Sequence, residues 1–239
     1  MIPRHIVLLH GFTQAGGIWV PVMEATTTRA PIDAPDLPGH GSASGVVSDL
    51  TTTAQRLAAE FTSAAYVGYS MGGRVALHVA LNHPGVVSHL VLCSTTAGIE
   101  DDEERSARCS ADDNLANRIR KIGVDAFIEE WTAQPMFATL RRSAVDDEIR
   151  KSNTAEGLAS SLETMGTGRQ APLWSRLHEL TMPVLVVTGT DDPKFTAIGR
   201  RMAQAIGENA THVEVPQAGH SVPFERPADF GGLLSAFLR

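Results

Sequence analysis

Short, unbroken apolar runs alternate with stretches of helical periodicity along most of this chain. Ile6-Val7-Leu8-Leu9 is the first such run and ends in His10-Gly11-Phe12, which predicts a buried parallel strand and its loop. A weaker strand is expected near Ala30 to Ala34, running into the turn-rich Pro35-Asp36-Leu37-Pro38-Gly39-His40-Gly41. Apolar positions then recur at helical spacing from about Leu50 to Thr62. Ala64-Ala65-Tyr66-Val67 reads as a strand, Arg74 to Leu81 as a helix, and His89-Leu90-Val91-Leu92-Cys93 as another buried strand. Strand patterns resume at Pro183 to Gly189 and at Thr211 to Val215, and a helix from about Pro227 to Leu238 closes the chain. This alternation predicts an α/β architecture, a mostly parallel central sheet with helices on both faces.

From about Gly98 to Leu180 the pattern changes. Charged, helical sequence dominates there, with no convincing strand and with breaks expected at Gly123, Pro135, Gly157 and Gly166. An all-helical interruption after the fourth readable strand is what a cap over an active site would look like. The expected organisation is therefore a core from 1–97 and 181–239, with a helical cap (lid) over 98–180. Internal repeats, low-complexity tracts and flexible linkers are not evident.

At 239 residues the chain suits one domain, or one core with an insertion. Its formal net charge of -7 argues against nucleic acid or an anionic membrane as partner. Arginine far outnumbers lysine, so some guanidiniums are available for planar recognition of carboxylates. Cys93 and Cys109 are too few for a disulfide framework and lack metal-ligand spacing. The chain starts Met1-Ile2-Pro3-Arg4-His5 with no signal-peptide pattern, and no apolar stretch approaches the roughly 18 residues a membrane helix requires. A cytoplasmic protein, monomeric or weakly self-associating, is expected.

Gly68-Tyr69-Ser70-Met71-Gly72 is the chemical focus. A buried strand that turns through G-x-S-x-G into a helix resembles the nucleophile elbow of the α/β-hydrolase fold. A serine hydroxyl needs a histidine to take its proton and a carboxylate to orient that histidine, in the chain order Ser, acid, His. His220, in the loop after the Thr211–Val215 strand, is the expected base, ahead of His212 within a strand and His178 in the cap. Asp191 and Asp192, both just past Gly189, are equally placed as the acid, and residue chemistry does not choose between them. The backbone amides of Met71 and Phe12 are the expected oxyanion donors. His10 and His40 are expected to support their loops. Arg74, one helical turn beyond Ser70, is either a surface charge or, if its face borders a cavity, an anion ligand beside the nucleophile.

Several segments extend the likeness beyond the fold. Gly68 to Arg74, Glu104-Arg105-Ser106-Ala107-Arg108, Trp131 to Phe137, Arg150 with its neighbours, Gly166 to Gln170 with Pro172-Leu173-Trp174, and Gly189-Thr190-Asp191-Asp192-Pro193-Lys194-Phe195 resemble 2-succinyl-6-hydroxy-2,4-cyclohexadiene-1-carboxylate synthase. That family consists of α/β-hydrolase-fold lyases of menaquinone biosynthesis. The resemblance spans His10 to His220 and places the catalytic aspartate on Asp192. It implies a Ser70–His220–Asp192 triad that abstracts a carbon-bound proton and expels pyruvate, with no metal or other cofactor. It also implies that Arg74, Arg108, Arg150, Tyr69 and Trp131 line a pocket for a small anionic substrate with three carboxylates.

Two other readings share much of this chemistry. A serine hydrolase of the same fold, acting on esters, enol-lactones or carbon–carbon bonds, would use the same triad but would have little use for several buried guanidiniums. A non-catalytic binding protein of this fold would have no need of the intact serine, acid and histidine.

Overall fold

The computed structural model of the protein describes residues 3–239. Met1 and Ile2, with which the expected first core segment begins, lie outside the described residues. Among the described residues six strands form one parallel sheet: β1 (His5–Leu9), β2 (Ile32–Asp33), β3 (Ala64–Tyr69), β4 (Val87–Cys93), β5 (Val184–Gly189) and β6 (Ala210–Val215). Their spatial order is β2-β1-β3-β4-β5-β6, and every neighbouring pair runs parallel.

The apolar runs are continuous because the central strands are covered on both faces. β1 shows how one strand serves two cores. Val7 and Leu9 join a cluster with α2 (Leu50–Glu60), α3 (Met71–Asn82) and α8 (Pro193–Ile206). Ile6 and Leu8 face the opposite side, against Trp19, α1 (Val20–Ala25) and α10 (Pro227–Phe237). β3 is buried along its whole length, so the serine that follows it is reached only from the strand's C-terminal end.

Four helices lie between β4 and β5: α4 (Asp102–Ile122), α5 (Val124–Thr132), α6 (Ala144–Lys151) and α7 (Ala155–Met165). They have their own small core of Ile119, Phe127, Ile128, Leu158 and Leu162, against which Phe12 of the β1 loop packs. Side-chain caps set the starts of α4, α6 and α7: Asp101 accepts from the Glu104 amide at 2.8 Å, Ser143 and Asp146 form a reciprocal capping box, and Thr154 accepts from Gly157 at 3.0 Å.

Two expectations require correction. Gly157 does not break a helix; it lies inside the first turn of α7, and the break falls at 152–154. A Cβ on Gly157 would lie 2.5 Å from the Gly39 carbonyl oxygen and 2.7 Å from that of Ser44, so the glycine serves a close helix–loop approach. The second strand is shorter than 30–34, because Pro31 and Pro35 flank it and remove ladder donors. A short helix, α9 (Val222–Glu225), precedes the last one and was not anticipated.

Candidate active site

Ser70 sits between β3 and α3 with φ +51° and ψ −108°, a conformation that a non-glycine residue rarely adopts. Neighbouring contacts hold it there. The Ser70 amide donates to the Cys93 carbonyl at 2.9 Å, and the Thr95 hydroxyl donates to the Ser70 carbonyl at 2.7 Å. The elbow glycines are dictated by crowding. A Cβ on Gly68 would lie 2.5 Å from the Gly73 Cα, and one on Gly72 would lie 2.7 Å from the His10 carbonyl oxygen and closer still to that of Leu9.

Ser70, His220 and Asp192 converge. His220 Nε2 is 3.3 Å from Ser70 Oγ, and its Nδ1 is 2.8 Å from Asp192 Oδ2. The other carboxylate oxygen, Oδ1, accepts from the Phe195 amide at 3.1 Å, which makes Asp192 the N-cap of α8. Burial pushes the Asp192 carboxyl up, but hydrogen bonds from His220 and the Phe195 amide outweigh it and hold the group below its ordinary value. Asp191 is exposed and takes a hydrogen bond from the Thr190 hydroxyl at 3.1 Å instead. His212 pairs with Thr188 at 2.8 Å, and His178 does not line the cavity.

Sequence reasoning missed the groups that hold the imidazole. Glu225, on α9, accepts from the amides on either side of His220: Gly219 at 2.8 Å and Ser221 at 2.9 Å. The Tyr69 hydroxyl is 2.9 Å from Ser221 Oγ, and the Phe195 ring stands edge-on to the imidazole with centroids 4.4 Å apart. None of these pairings repeats at a fixed spacing. The one local signal is that the acid follows Ser221 by four residues.

The amides of Met71 and Phe12 have no partner among the described residues. Met71 is the first residue of α3, where an amide lacks an intrahelical acceptor and the helix dipole favours negative charge. The Phe12 loop is pinned by two buried histidines, in line with the supporting role expected of them. His10 Nδ1 donates to the Gly11 carbonyl at 2.8 Å while its Nε2 accepts from the Leu37 amide at 2.9 Å. His40 Nδ1 donates to the Pro38 carbonyl at 3.0 Å and Nε2 accepts from the Thr13 amide at 3.3 Å. Each imidazole is thus fully used as a neutral ring.

A cavity of about 580 Å³ opens over Ser70 and His220, walled on its far side by α4, α5 and α7. All five side chains expected to line a pocket border it. Arg74 is buried and donates to the Met165 carbonyl at 2.6 Å; burial and the nearby Arg108 charge lower its pKa to about 10, so it stays charged at neutral pH. Arg150 is buried and bonds the Thr13 hydroxyl. Neither has a carboxylate partner among the described residues. Arg108 differs: its side chain is 42% exposed and its Nε is taken by Asp112 at 2.8 Å, which leaves only the terminal amino groups for a ligand. Trp131 stands at right angles to Phe12, with ring centroids 5.2 Å apart.

Residues 6–231 match the model of the alpha/beta hydrolase family. A Bacillus subtilis (strain 168) protein, named as a candidate 2-succinyl-6-hydroxy-2,4-cyclohexadiene-1-carboxylate synthase, is 37% identical over 98% of this chain and 89% of its own length. The synthase of that name from Photorhabdus laumondii is 30% identical over 98% of this chain and 84% of its own. The solved structure of MenH from S. aureus superposes with a TM-score of 0.91 at 30% identity, covering 100% of this chain and 94% of that one.

Proposed function

Because the chain belongs to the alpha/beta hydrolase family, and within it to the 2-succinyl-6-hydroxy-2,4-cyclohexadiene-1-carboxylate synthases, we propose that it is the pyruvate-eliminating lyase of menaquinone biosynthesis. Its substrate is then 2-succinyl-5-enolpyruvyl-6-hydroxy-3-cyclohexene-1-carboxylate, which carries three carboxylates. Ser70, activated by His220, removes the proton on the ring carbon that bears the succinyl group. That carbon is acidified by the adjacent ketone, and the developing enolate oxygen is stabilised by the Phe12 and Met71 amides. The electron pair re-forms the ketone and shifts the ring double bond. The ether bond at the enolpyruvyl-bearing carbon breaks, and the departing enolate takes up a proton to become pyruvate. One proton leaves carbon, one is returned, and no water enters the products.

Asp192 holds the imidazole in the tautomer that presents Nε2 to the serine and stabilises the imidazolium that forms. The helices of 98–180 act as the lid, and Arg74, Arg108, Arg150, Tyr69 and Trp131 bind and orient the trianion. In this reading the enzyme works in the cytoplasm and needs no cofactor. The observation that carries the proposal is the pair of buried guanidiniums, Arg74 and Arg150, on the wall of the cavity that holds Ser70 and His220. Desolvated cations held only by neutral oxygens, with no carboxylate partner among the described residues, are costly, and an anionic substrate supplies what they lack.

The test is to supply the pathway intermediate and follow pyruvate with a coupled lactate dehydrogenase assay. Wild-type protein should release pyruvate, and Ser70→Ala or His220→Ala should lower kcat by roughly 10³-fold or more with the folded state little changed. Wild-type protein that releases no pyruvate would refute the assignment.

A further inference from the structure

The cavity wall holds one more group whose chemistry is unspent. Gln14 is only 1% exposed and borders the same cavity as Ser70 and His220. Its Oε1 accepts from the Gly11 amide at 2.9 Å, while its Nε2 has no hydrogen-bond partner among the described residues. The orientation of the carboxamide is fixed by chemistry. An amide N–H on the Gly11 side demands an oxygen there, so the NH₂ must be the end left over. A buried donor without a partner costs about 1–3 kcal/mol, a penalty that a folded protein rarely carries without use.

The surroundings say what the donor is for. Thr13, next in the chain, accepts from Arg150, whose own Nε is also buried and unpartnered. Trp131, on the same cavity, presents a third unpartnered N–H. Three side chains that border the cavity thus carry an unpartnered N–H, and the carboxylate that lines it among the described residues, Asp112, is already paired with Arg108. We propose that Gln14 is a specificity-determining residue: its carboxamide Nε2 donates to a substrate carboxylate held by Arg150, while its Oε1 fixes the loop that carries the Phe12 amide. This rests on the reaction proposed above and adds a substrate contact to it. It also explains why a glutamine, with both an acceptor and a donor, stands here, where an apolar residue would leave the Gly11 amide unpaired.

Gln14→Glu separates the two halves of that role. The carboxylate still accepts from Gly11, so the loop keeps its anchor, but the donor becomes a negative charge facing a carboxylate. In the pyruvate-release assay the variant should show a KM raised about 30-fold or more with kcat within about threefold, and an unchanged melting temperature without ligand. A wild-type KM for Gln14→Glu would overturn the proposal. A second arm does not depend on turnover: tricarballylate, a simple tricarboxylate, should raise the melting temperature of wild-type protein at constant ionic strength, and should do so far less for Gln14→Glu. If wild-type protein released no pyruvate, the reaction would be refuted while this contact still stood or fell on the tricarballylate shift. Equal shifts for the two proteins, or none for either, would refute the contact.

Discussion

Acid should loosen this protein at the loop that carries the Phe12 amide, well before the carboxylates titrate. Burial lowers the His10 pKa to about 4, and burial together with the neighbouring His10 charge lowers that of His40 to about 3. The geometry supplies the reason: protonating either Nε2 would set an N–H against the amide it accepts from, Leu37 for His10 and Thr13 for His40. A histidine with a depressed folded-state pKa contributes stability that is fully present above about 6.5, its unfolded value, and is lost as pH falls towards the folded value. At pH 5 the unfolded state binds nearly one proton more at each ring than the folded state does. With the His10 value of about 4 the loss is about 2 kcal/mol. His40 adds a similar amount, about 4 kcal/mol together, a large part of the 5–15 kcal/mol typical of a domain. Urea unfolding followed by circular dichroism at pH 7.5, 6 and 5 should show this fall, with the slope beginning below about pH 6.5. Proton NMR adds the site-specific check, because the ring signals of His10 and His40 should not titrate above pH 5. Flat stability between pH 7.5 and 5, or titration of either ring near 6.5, would refute the reasoning.

Other consequences are local. Gly72→Ala should destabilise the fold by about 3 kcal/mol and abolish pyruvate release, since its Cβ would force α3 away from the end of β1; a variant of wild-type stability would show that the gap can open freely. Glu225→Ala should lower kcat about tenfold with a smaller change in KM, because the loop holding His220 loses two anchors; equal kcat by the same assay would remove the positioning role. Arg74→Ala should weaken substrate capture by about 2–5 kcal/mol, read as a fall in kcat/KM, and an unchanged kcat/KM would remove the carboxylate role. Turnover of p-nitrophenyl acetate should be feeble, and brisk hydrolysis would favour the esterase reading.

What could be read from the chain was whatever is local. The strands are continuous apolar runs because each is covered on both faces, and the elbow is five consecutive residues. The acid was ambiguous because Asp191 and Asp192 are neighbours of identical chemistry. Pro193 holds the missing cue: proline favours the first position of a helix, which makes the residue before it the N-cap, and that is where Asp192 sits. Gly157 was misread because a glycine needed for close approach looks the same in sequence as one that ends a helix. Glu225, Tyr69 with Ser221, and the half-committed Arg108 depend on which side chains meet after folding, and no spacing records that.

The same serine, imidazole and carboxylate can serve hydrolysis or elimination, so the triad alone does not decide which reaction the cavity runs. The difference lies in what reaches the serine first. A hydrolase must place a carbonyl carbon within bonding distance of Oγ and later admit water to the acyl group. An eliminating enzyme must instead hold a carbon–hydrogen bond against Oγ, with the carbonyl oxygen a little further on, at the amides. Only contacts remote from the serine can impose that offset, because the reacting ketone is the same group in either case. On the proposed reaction the remote contacts would be cationic and fixed, since Arg74 is braced by the Met165 carbonyl and Arg150 by the Thr13 hydroxyl. Guanidiniums pinned in that way fix where the carboxylates sit, and the rigid ring between them carries that placement to its acidic carbon. On that reading the walls of the cavity would make the choice of reaction, and the triad would supply the base.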